Sequence, residues 1–170
     1  MRKANGRGAN VTAAEHALVV KFAKRCLREI CKKEYEIGAR WNKDNQISYA
    51  DAVTWLEVKT KCRGQRSYGG ARDISIDVSG YRAGRCWHGE YPTFRGDPVI
   101  GDVFADNPEV ALFAEVAHEV AHHVQMRYGH TTRYLWKTYR KAHGEAFQTI
   151  YRELRRALVN PLIEEAKEAA

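Results

Sequence analysis

The strongest constraint on the fold is residues 110–128, a stretch without glycine or proline whose apolar side chains recur at helical spacing. The residues at i, i+4, i+7 and i+11 are Phe113, Ala117, Val120 and Val124. This pattern is typical of a helix that packs one face against a core. Asn107-Pro108 interrupts regular structure just before it. The sequence therefore predicts one long, packed helix that begins near residue 108.

The same helix carries His118, Glu119 and His122 in the spacing H-E-x-x-H. At 100° per residue the two histidines lie about 40° apart, so both imidazoles can reach one metal ion. Zinc lowers the pKa of a bound water to about 7, and the adjacent Glu119 can take up the proton. The spacing predicts one zinc ion per chain, with Glu119 as the general base. The alternative is a pair of ordinary surface or capping histidines.

A catalytic zinc site needs a third protein ligand. The extended pattern H-E-x-x-H-x-x-G-x-x-H is excluded, because Gln125 and Tyr128 stand where it needs glycine and histidine. His123 points about 100° away from its neighbour His122 and is expected to be solvated or to lie behind the ligands. His130 falls in the loop that is predicted to end the helix. Neither histidine is favoured as a ligand.

Two candidates remain for the third ligand. Glu145 would supply a carboxylate from the following helix. His143 heads an apolar stripe that faces the same core as the first motif helix. The stripe consists of Phe147, Ile150, Tyr151, Leu154 and Leu158. The residues favour His143 and leave Glu145 as the alternative.

The motifs His118-Glu-x-x-His122 and His143-Gly-x-x-Phe147, in this order, resemble the SprT-like (Spartan-type) metalloprotease domain, and the resemblance covers residues 118–154. The resemblance implies a zincin-like α+β fold with N-terminal helices, a small antiparallel sheet, the H-E-x-x-H helix and a following C-terminal helix. It also implies that the three histidines bind zinc. In such folds an edge strand beside the site can pair with an extended substrate.

The resemblance further implies a zinc endopeptidase with Glu119 as its base and with DNA-associated or DNA-crosslinked proteins as substrates. Two alternatives stay open. One is a different zinc hydrolase that uses Glu145 as the third ligand. The other is a DNA-binding module whose metal site is structural or inactive, although a purely structural site has no use for a base.

Lys and Arg are concentrated near the N-terminus and in residues 127–156, and they contribute to a net charge of +7. Residues 133–156 interleave the aromatic residues Tyr134, Trp136 and Tyr139 with seven basic ones. A surface of this kind can hold phosphates and stack on bases. The candidate nucleic-acid contacts are Arg133, Lys137, Arg140, Lys141, Arg152, Arg155 and Arg156. The alternative is that these residues are the solvated faces of amphipathic helices.

Other local patterns predict the remaining elements. A capping box at Thr12-x-x-Glu15 opens a helix over 13–36, and Ser48-x-x-Asp51 opens another through about residue 60. Alternating residues 74–78 predict a half-buried strand, with shorter strands at 91–94 and 99–104. Asn160-Pro161 is predicted to end the last long helix. This order of elements is typical of an α+β fold.

Composition favours one domain over residues 1–170, because 44% hydrophobic residues suffice for a single sizeable core. Residues 1–10 are polar and basic and are expected to be flexible. No apolar run is long enough for a membrane helix or a secretory signal. We therefore expect a cytoplasmic protein without a membrane partner, associated with the nucleoid if DNA is bound.

The four cysteines are not expected to form disulfides or to bind zinc, because they contain no C-x-x-C pair. Cys26 and Cys31 lie in an apolar helical pattern, which predicts buried thiols. Cys62 and Cys86 complete the set. No cysteine follows Cys86 in this sequence, so the C-terminal zinc ribbon of many bacterial SprT-like proteins is not expected.

Overall fold

The computed structural model describes residues 10–32, 48–129 and 140–168, which form an α+β fold. Its helices are α1 (Ala13–Ile30), α2 (Tyr49–Trp55), α3 (Ser79–Arg82), α4 (Pro108–Tyr128), α5 (Glu145–Leu154) and α6 (Asn160–Glu168), with a π-helical turn at Arg155–Val159. Its strands are β1 (Glu57–Lys61), β2 (Tyr68–Gly69), β3 (Asp73–Asp77), β4 (Trp87–His88) and β5 (Val103–Phe104). The predicted α+β class is confirmed.

Helix α1 begins where the capping box predicts. The Glu15 N–H donates to Thr12 Oγ1 at 3.1 Å, and the Thr12 N–H donates to the Glu15 carboxylate at 2.8 Å. The helix ends at Ile30, where the N–H of Cys31 closes the last turn. The sequence predicts a helix to residue 36, and this is wrong for residues 31 and 32, which are not helical. Residues 33–36 lie outside the described residues.

Helix α2 begins after Ser48, as the sequence predicts, but it ends at Trp55. The prediction of a helix through about residue 60 is wrong, because residues 57–61 form β1. Val58 and Thr60 are β-branched residues, which favour a strand once a pairing partner is available. That partner is β3, which lies parallel to β1.

The three-stranded sheet has the order β1-β3-β2 and is mixed. Strand β1 is parallel to β3 and β2 is antiparallel to it, so the prediction of a purely antiparallel sheet is wrong. A separate antiparallel ladder joins β4 and β5. The central strand β3 is more enclosed than its alternation predicts, because Ser75 and Asp77 are buried as well as Ile74 and Ile76.

The two further strands predicted from the sequence are largely replaced by turns. Residues 91–94 form turns, in which the N–H of Phe94 donates to the carbonyl of Tyr91 at 2.8 Å. Within 99–104 only the last two residues pair, as β5. Asp97 accepts two backbone N–H groups at the start of that segment and so closes a turn there.

Helix α4 is the centre of the molecule and contacts α1, α5 and strands β2 and β3. It begins as predicted, with Asn107 Oδ1 accepting the Glu109 N–H at 2.7 Å and Pro108 in the first turn. The predicted apolar stripe is buried in the main core. Although α4 has 21 residues, no helix in the described part of the chain is long and apolar enough to cross a membrane.

The C-terminal helix does not end at Asn160-Pro161, so that prediction is wrong. Helix α5 continues through the π-helical turn into α6, in which Pro161 is the second residue. The last bond of the turn joins the Asn160 N–H to the carbonyl of Arg155, five residues earlier. The widened turn accommodates a proline, which has no N–H to contribute to the next bond.

Candidate metal centre

Three histidine side chains converge between α4 and the turn that precedes α5. Nε2 of His143 lies 3.1 Å from Nε2 of His118 and 3.0 Å from Nε2 of His122. A tetrahedral zinc ion with nitrogen ligands at about 2.0–2.1 Å holds those nitrogens about 3.3 Å apart. The spacing of the three imidazole nitrogens therefore suits one shared metal ion.

Hydrogen bonds on the far side of two rings show which nitrogens are free to bind. Nδ1 of His118 lies 3.0 Å from Glu90 Oε2, and Nδ1 of His122 lies 3.3 Å from Gln125 Oε1. These oxygens accept hydrogen bonds, so each Nδ1 carries the proton and each Nε2 keeps a lone pair. Both lone pairs face Nε2 of His143, which can donate to only one of them. A cation satisfies this arrangement, and the donor set therefore fits a bound metal ion.

The surroundings of His122 and His143 keep these two imidazoles uncharged at neutral pH. Burial, together with the neighbouring His118 and His143, lowers the pKa of His122 to about 3. Burial and the neighbouring His118 together lower the pKa of His143 to about 4. Neutral imidazoles are the form that binds metal ions, so no proton has to be displaced from these two rings at neutral pH.

His143 reaches the centre from a strained turn rather than from the face of α5. Its φ is 57°, in the left-handed region that side chains other than glycine rarely adopt. Gln125 Nε2 donates to the carbonyl of Lys141 at 2.6 Å, and Gln148 Nε2 donates to the carbonyl of His143 at 3.1 Å. These bonds attach the turn to both motif helices and hold His143 in place.

Glu145 does not replace His143 in the described structure. It is the exposed first residue of α5 and belongs to neither group of side chains, within the described ranges, that could hold a metal ion. One group consists of His118, His122 and His143. The other combines His118 with two residues to which the sequence analysis gave no role, His88 and Glu90.

His88 and Glu90 are candidate site residues that the sequence patterns did not indicate. They stand two positions apart in an extended segment, which places them on one side of β4 and its continuation. This two-residue spacing is the only local pattern that marks the pair. It does not predict a contact with His118, which lies 28 residues after Glu90 in the sequence. Only the tertiary fold brings the two segments together.

Glu119 lies beside the histidines and is 8% exposed. Burial, together with the nearby carboxylates of Glu115 and Glu90, raises its pKa to about 8. Its carboxylate makes no hydrogen bond or ion pair with any other described residue. A carboxyl group of this kind can exchange a proton near neutral pH.

The metal centre opens into a cleft of about 700 Å³. One wall includes β2, another includes β4 and the residues after it, and His143 and Glu119 lie among the lining residues. Several aromatic side chains on these walls are exposed: Tyr68, Trp87 and Tyr91. The Tyr91 ring stacks on His143 with centroids 4.3 Å apart. The cleft is therefore large enough for several residues of a peptide.

Strand β2 lies unusually close to the H-E-x-x-H turn of α4. A Cβ atom on Gly69 would lie 2.1 Å from the carbonyl oxygen of Glu119 and 2.9 Å from Cβ of His122. Only glycine fits at that distance. Since β2 is an edge strand of the described sheet, Gly69 lets a strand edge border the metal centre.

His123 is buried, which corrects the expectation that it is solvated. Its Nδ1 lies 2.9 Å from the carbonyl oxygen of Gly70, just after β2. It connects α4 to the edge strand, and within the described residues it belongs to neither group that could hold a metal ion. Burial lowers its pKa to about 4, so the ring is neutral.

The cysteines are all free, in agreement with the sequence analysis. Cys26 is fully buried, and Cys31 is half-buried rather than buried as predicted. Burial raises the pKa of the Cys31 thiol to about 11. Within the described residues no cysteine belongs to either candidate metal group.

The predicted nucleic-acid surface is reduced by internal ion pairs. Arg155 is 3% exposed and donates to the carbonyl of Gly101 at 3.0 Å, so its assignment to a DNA surface is wrong. Arg152 is half-buried in a two-pronged ion pair with Asp97, at 2.9 and 2.5 Å. The other predicted nucleic-acid contacts in described segments are exposed: Arg140, Lys141 and Arg156. The remaining residues that were considered for this surface or for the metal site lie outside the described residues: His130, Arg133, Tyr134, Trp136, Lys137 and Tyr139.

Comparison of the chain with protein-family models, with curated proteins and with solved structures finds no match in any of the three.

Proposed function

We propose that this protein is a zinc-dependent endopeptidase with a zincin-like, SprT-like active site. His118, His122 and His143 hold the ion, and Glu119 is the general base. The observation that carries the proposal is the convergence of three Nε2 atoms next to a buried carboxylate in an open cleft. The order of the motifs, and their resemblance to the SprT-like signature, supports the same assignment.

A zinc ion held by these three histidines would supply Lewis acidity toward a water molecule and the substrate carbonyl. Glu119 would be the group that accepts a proton from the water and returns it to the leaving amine. Its raised pKa of about 8 suits this double role, because an acid-base catalyst works best when its pKa lies near the working pH. Glu119 also has no competing partner among the described side chains, so its carboxylate is available to the water.

The cleft favours an extended peptide as substrate. Edge strand β2 borders the centre, and a peptide can add to such an edge through backbone hydrogen bonds that do not depend on sequence. The exposed Tyr68 and Tyr91 on the walls offer apolar contacts to substrate side chains. This binding mode fits an endopeptidase that accepts many sequences.

DNA-associated or DNA-crosslinked proteins are the substrates that the SprT-like resemblance implies, and they would place the enzyme at the nucleoid. Of the predicted nucleic-acid contacts that lie in described segments, Arg140, Lys141 and Arg156 are exposed and suit phosphate contacts. If they contact DNA, replacing all three with alanine flattens the salt dependence of oligonucleotide binding by about 0.7 per lost single-strand contact in a log-log plot. An unchanged slope removes these residues from DNA binding.

A purely structural metal site is the less favoured alternative. Structural zinc sites are closed by four protein ligands, whereas the described centre offers three histidines and a carboxylate without partners. A structural site also needs no cleft of about 700 Å³ beside the ion.

The test is to measure zinc content and cleavage of an unfolded protein such as casein, with and without DNA. Glu119→Gln should keep about one zinc per chain and lower cleavage by roughly two orders of magnitude or more, because an amide cannot accept the proton. Glu109→Gln is the matched control, since it removes an exposed carboxylate in the first turn of the same helix, α4. Equal cleavage by wild type and Glu119→Gln would contradict the proposed mechanism.

A further inference from the structure

Glu90 is the most completely enclosed carboxylate near the metal centre, with a side chain that is 0% exposed. It follows β4, and its own N–H donates to Asp102 Oδ1 at 2.7 Å, which fixes the backbone. Its Oε2 accepts the hydrogen bond of His118 Nδ1 at 3.0 Å. Because that nitrogen carries the proton, the opposite Nε2 of His118 is left free for the metal ion.

The second oxygen of Glu90 is surrounded by donors from the C-terminal helix. Tyr151 donates its hydroxyl to Glu90 Oε1, and Arg155 Nη1 lies 3.5 Å from the same oxygen. Arg155 Nη1 also donates to the Tyr151 hydroxyl at 3.1 Å. His88 Nε2 lies 3.2 Å from Oε1 on the cleft side. The carboxylate is therefore held in a fixed orientation, with Oε2 toward His118.

Arg155 reaches this position because it begins the π-helical turn after α5. Its Nε donates to Asn160 Oδ1 at 2.9 Å, and Asn160 Nδ2 donates to the carbonyl of Val99 at 3.1 Å. Both ends of the turn are thus attached to the segment after Glu90. Such insertions in helices often occur where a side chain must be redirected for function. The buried Arg155 compensates the buried negative charge.

We infer that Glu90 is a positioning residue of the metal centre. It fixes His118 in the tautomer that presents Nε2 to the ion, while Tyr151 and Arg155 hold Glu90 in the orientation that this requires. This inference rests on the proposed zinc site. It adds to that site the residue that determines which nitrogen of His118 presents its lone pair to the ion. Loss of a group that hydrogen-bonds to a metal-binding histidine typically lowers the metal affinity by about 10–100-fold.

The donor arrangement gives Glu90→Gln a specific expected effect. Tyr151 and Arg155 both donate to the Oε1 side, so the amide oxygen of the new glutamine turns toward them. Its NH₂ group then faces His118 Nδ1 and can only donate a hydrogen bond, so Nδ1 has to be the unprotonated acceptor. The proton of the neutral His118 ring then lies on Nε2, which is the nitrogen that would bind the ion. The variant keeps the shape of the side chain but reverses the tautomer.

The experiment combines two measurements on the full chain, zinc affinity by competition with a chelator and the His118 tautomer by ¹⁵N NMR of the zinc-free protein. For Glu90→Gln we expect about 10–100-fold weaker zinc binding and a change of His118 from the Nδ1–H to the Nε2–H form. Glu115→Gln is the control, because it removes a carboxylate that contacts Ser67 and Arg85 instead of a ligand. It should change the zinc affinity by less than about threefold.

Tyr151→Phe provides a second variant that changes one hydroxyl only and keeps the inference testable if Glu90→Gln fails to fold. It should weaken zinc binding in the same direction by a smaller factor. Zinc affinity and tautomer unchanged in both folded variants would overturn the inference. So would a loss of zinc in His88→Ala as large as that in His143→Ala, because Glu90 would then be a direct ligand.

The outcome is separable from that of the proposed function. A wild-type protein that cleaves no substrate but shows the zinc and tautomer effects supports the role of Glu90 and refutes the peptidase assignment. Cleavage that depends on Glu119, together with no effect of Glu90→Gln on zinc or tautomer, supports the peptidase and refutes the positioning role.

Discussion

Two buried carboxylates flank His118, and they differ in almost every other respect. Glu119 has no described partner, and burial raises its pKa to about 8. Glu90 is also buried, which alone would raise its pKa, but hydrogen bonds from His118 and His88 hold it well below the usual range. The difference teaches that burial does not decide the role of a carboxylate. Hydrogen-bond donors decide whether it stays ionised to support a ligand or exchanges a proton.

The largest expected effect concerns the ligands of the ion beside which the two carboxylates lie. His118→Ala, His122→Ala and His143→Ala should each lower zinc affinity by at least about 100-fold, because each removes one of three ligands. Glu145→Ala should retain zinc and is the control. Metal analysis after dialysis distinguishes these cases. If zinc is retained in His143→Ala and lost in Glu145→Ala, the alternative ligand set is right.

The pH dependence of stability should separate the two carboxylates in chelator-treated protein. Between pH 4.5 and about 8 folded Glu119 binds more proton than unfolded Glu119, so its contribution to stability falls as the pH rises. Glu119→Gln should then be more stable than wild type at pH 8 by about 3–5 kcal/mol, with little difference near pH 4.5. Urea unfolding at several pH values measures this.

Glu90→Gln should show the opposite sign. Its folded pKa lies below the ordinary 4.5, so its stabilisation is present above that pH and is lost as the pH falls. The variant should be less stable than wild type at pH 7, with a deficit that shrinks below pH 4.5. Parallel curves for wild type and both variants would show that the two carboxylates do not differ as described.

A smaller effect is expected on the Glu119 side, where β2 contacts α4. Gly69→Ala places a Cβ about where the carbonyl of Glu119 already lies, so it should destabilise the fold by roughly 1–3 kcal/mol. Gly70→Ala is the matched control, because its Cβ would meet its nearest neighbour at 3.6 Å. Thermal unfolding compares the two. Equal destabilisation would mean that β2 is not packed this closely against the H-E-x-x-H turn.

The smallest expected effect concerns the strained ligand turn. His143→Gly and His143→Ala both remove the imidazole, but only glycine relieves the left-handed backbone at φ 57°. His143→Gly should be more stable than His143→Ala by about 1 kcal/mol. Denaturant midpoints of the zinc-free variants provide the measurement. A less stable glycine variant would show that the turn is relaxed.

Elements with complete local signals could be predicted from the sequence. The Thr12 capping box, the Ser48 cap and the Asn107-Pro108 start are each found in the structure. Each depends on residues within one helical turn of one another. Such patterns are readable because the interacting groups are neighbours along the chain.

Elements that depend on distant partners were not predictable. Residues 57–61 become a strand because β3 is available to pair with them, and the C-terminal helix passes Pro161 through a π-helical turn. Arg155 is basic and near other basic residues, which suggests a surface, yet it is buried beside Glu90. Neither pairing nor burial of this kind is visible in local periodicity.

The sequence by itself determined which groups can do chemistry. His118, Glu119 and His122 share one helix face because their spacing fixes their angles, whatever the rest of the fold does. Tertiary structure alone decided how those groups behave. It brought His143 to the cluster through a strained turn and placed Glu90 against His118 from a segment 28 residues away. A pKa, a tautomer and the direction of a lone pair depend on neighbours in space, which spacing along the chain does not specify.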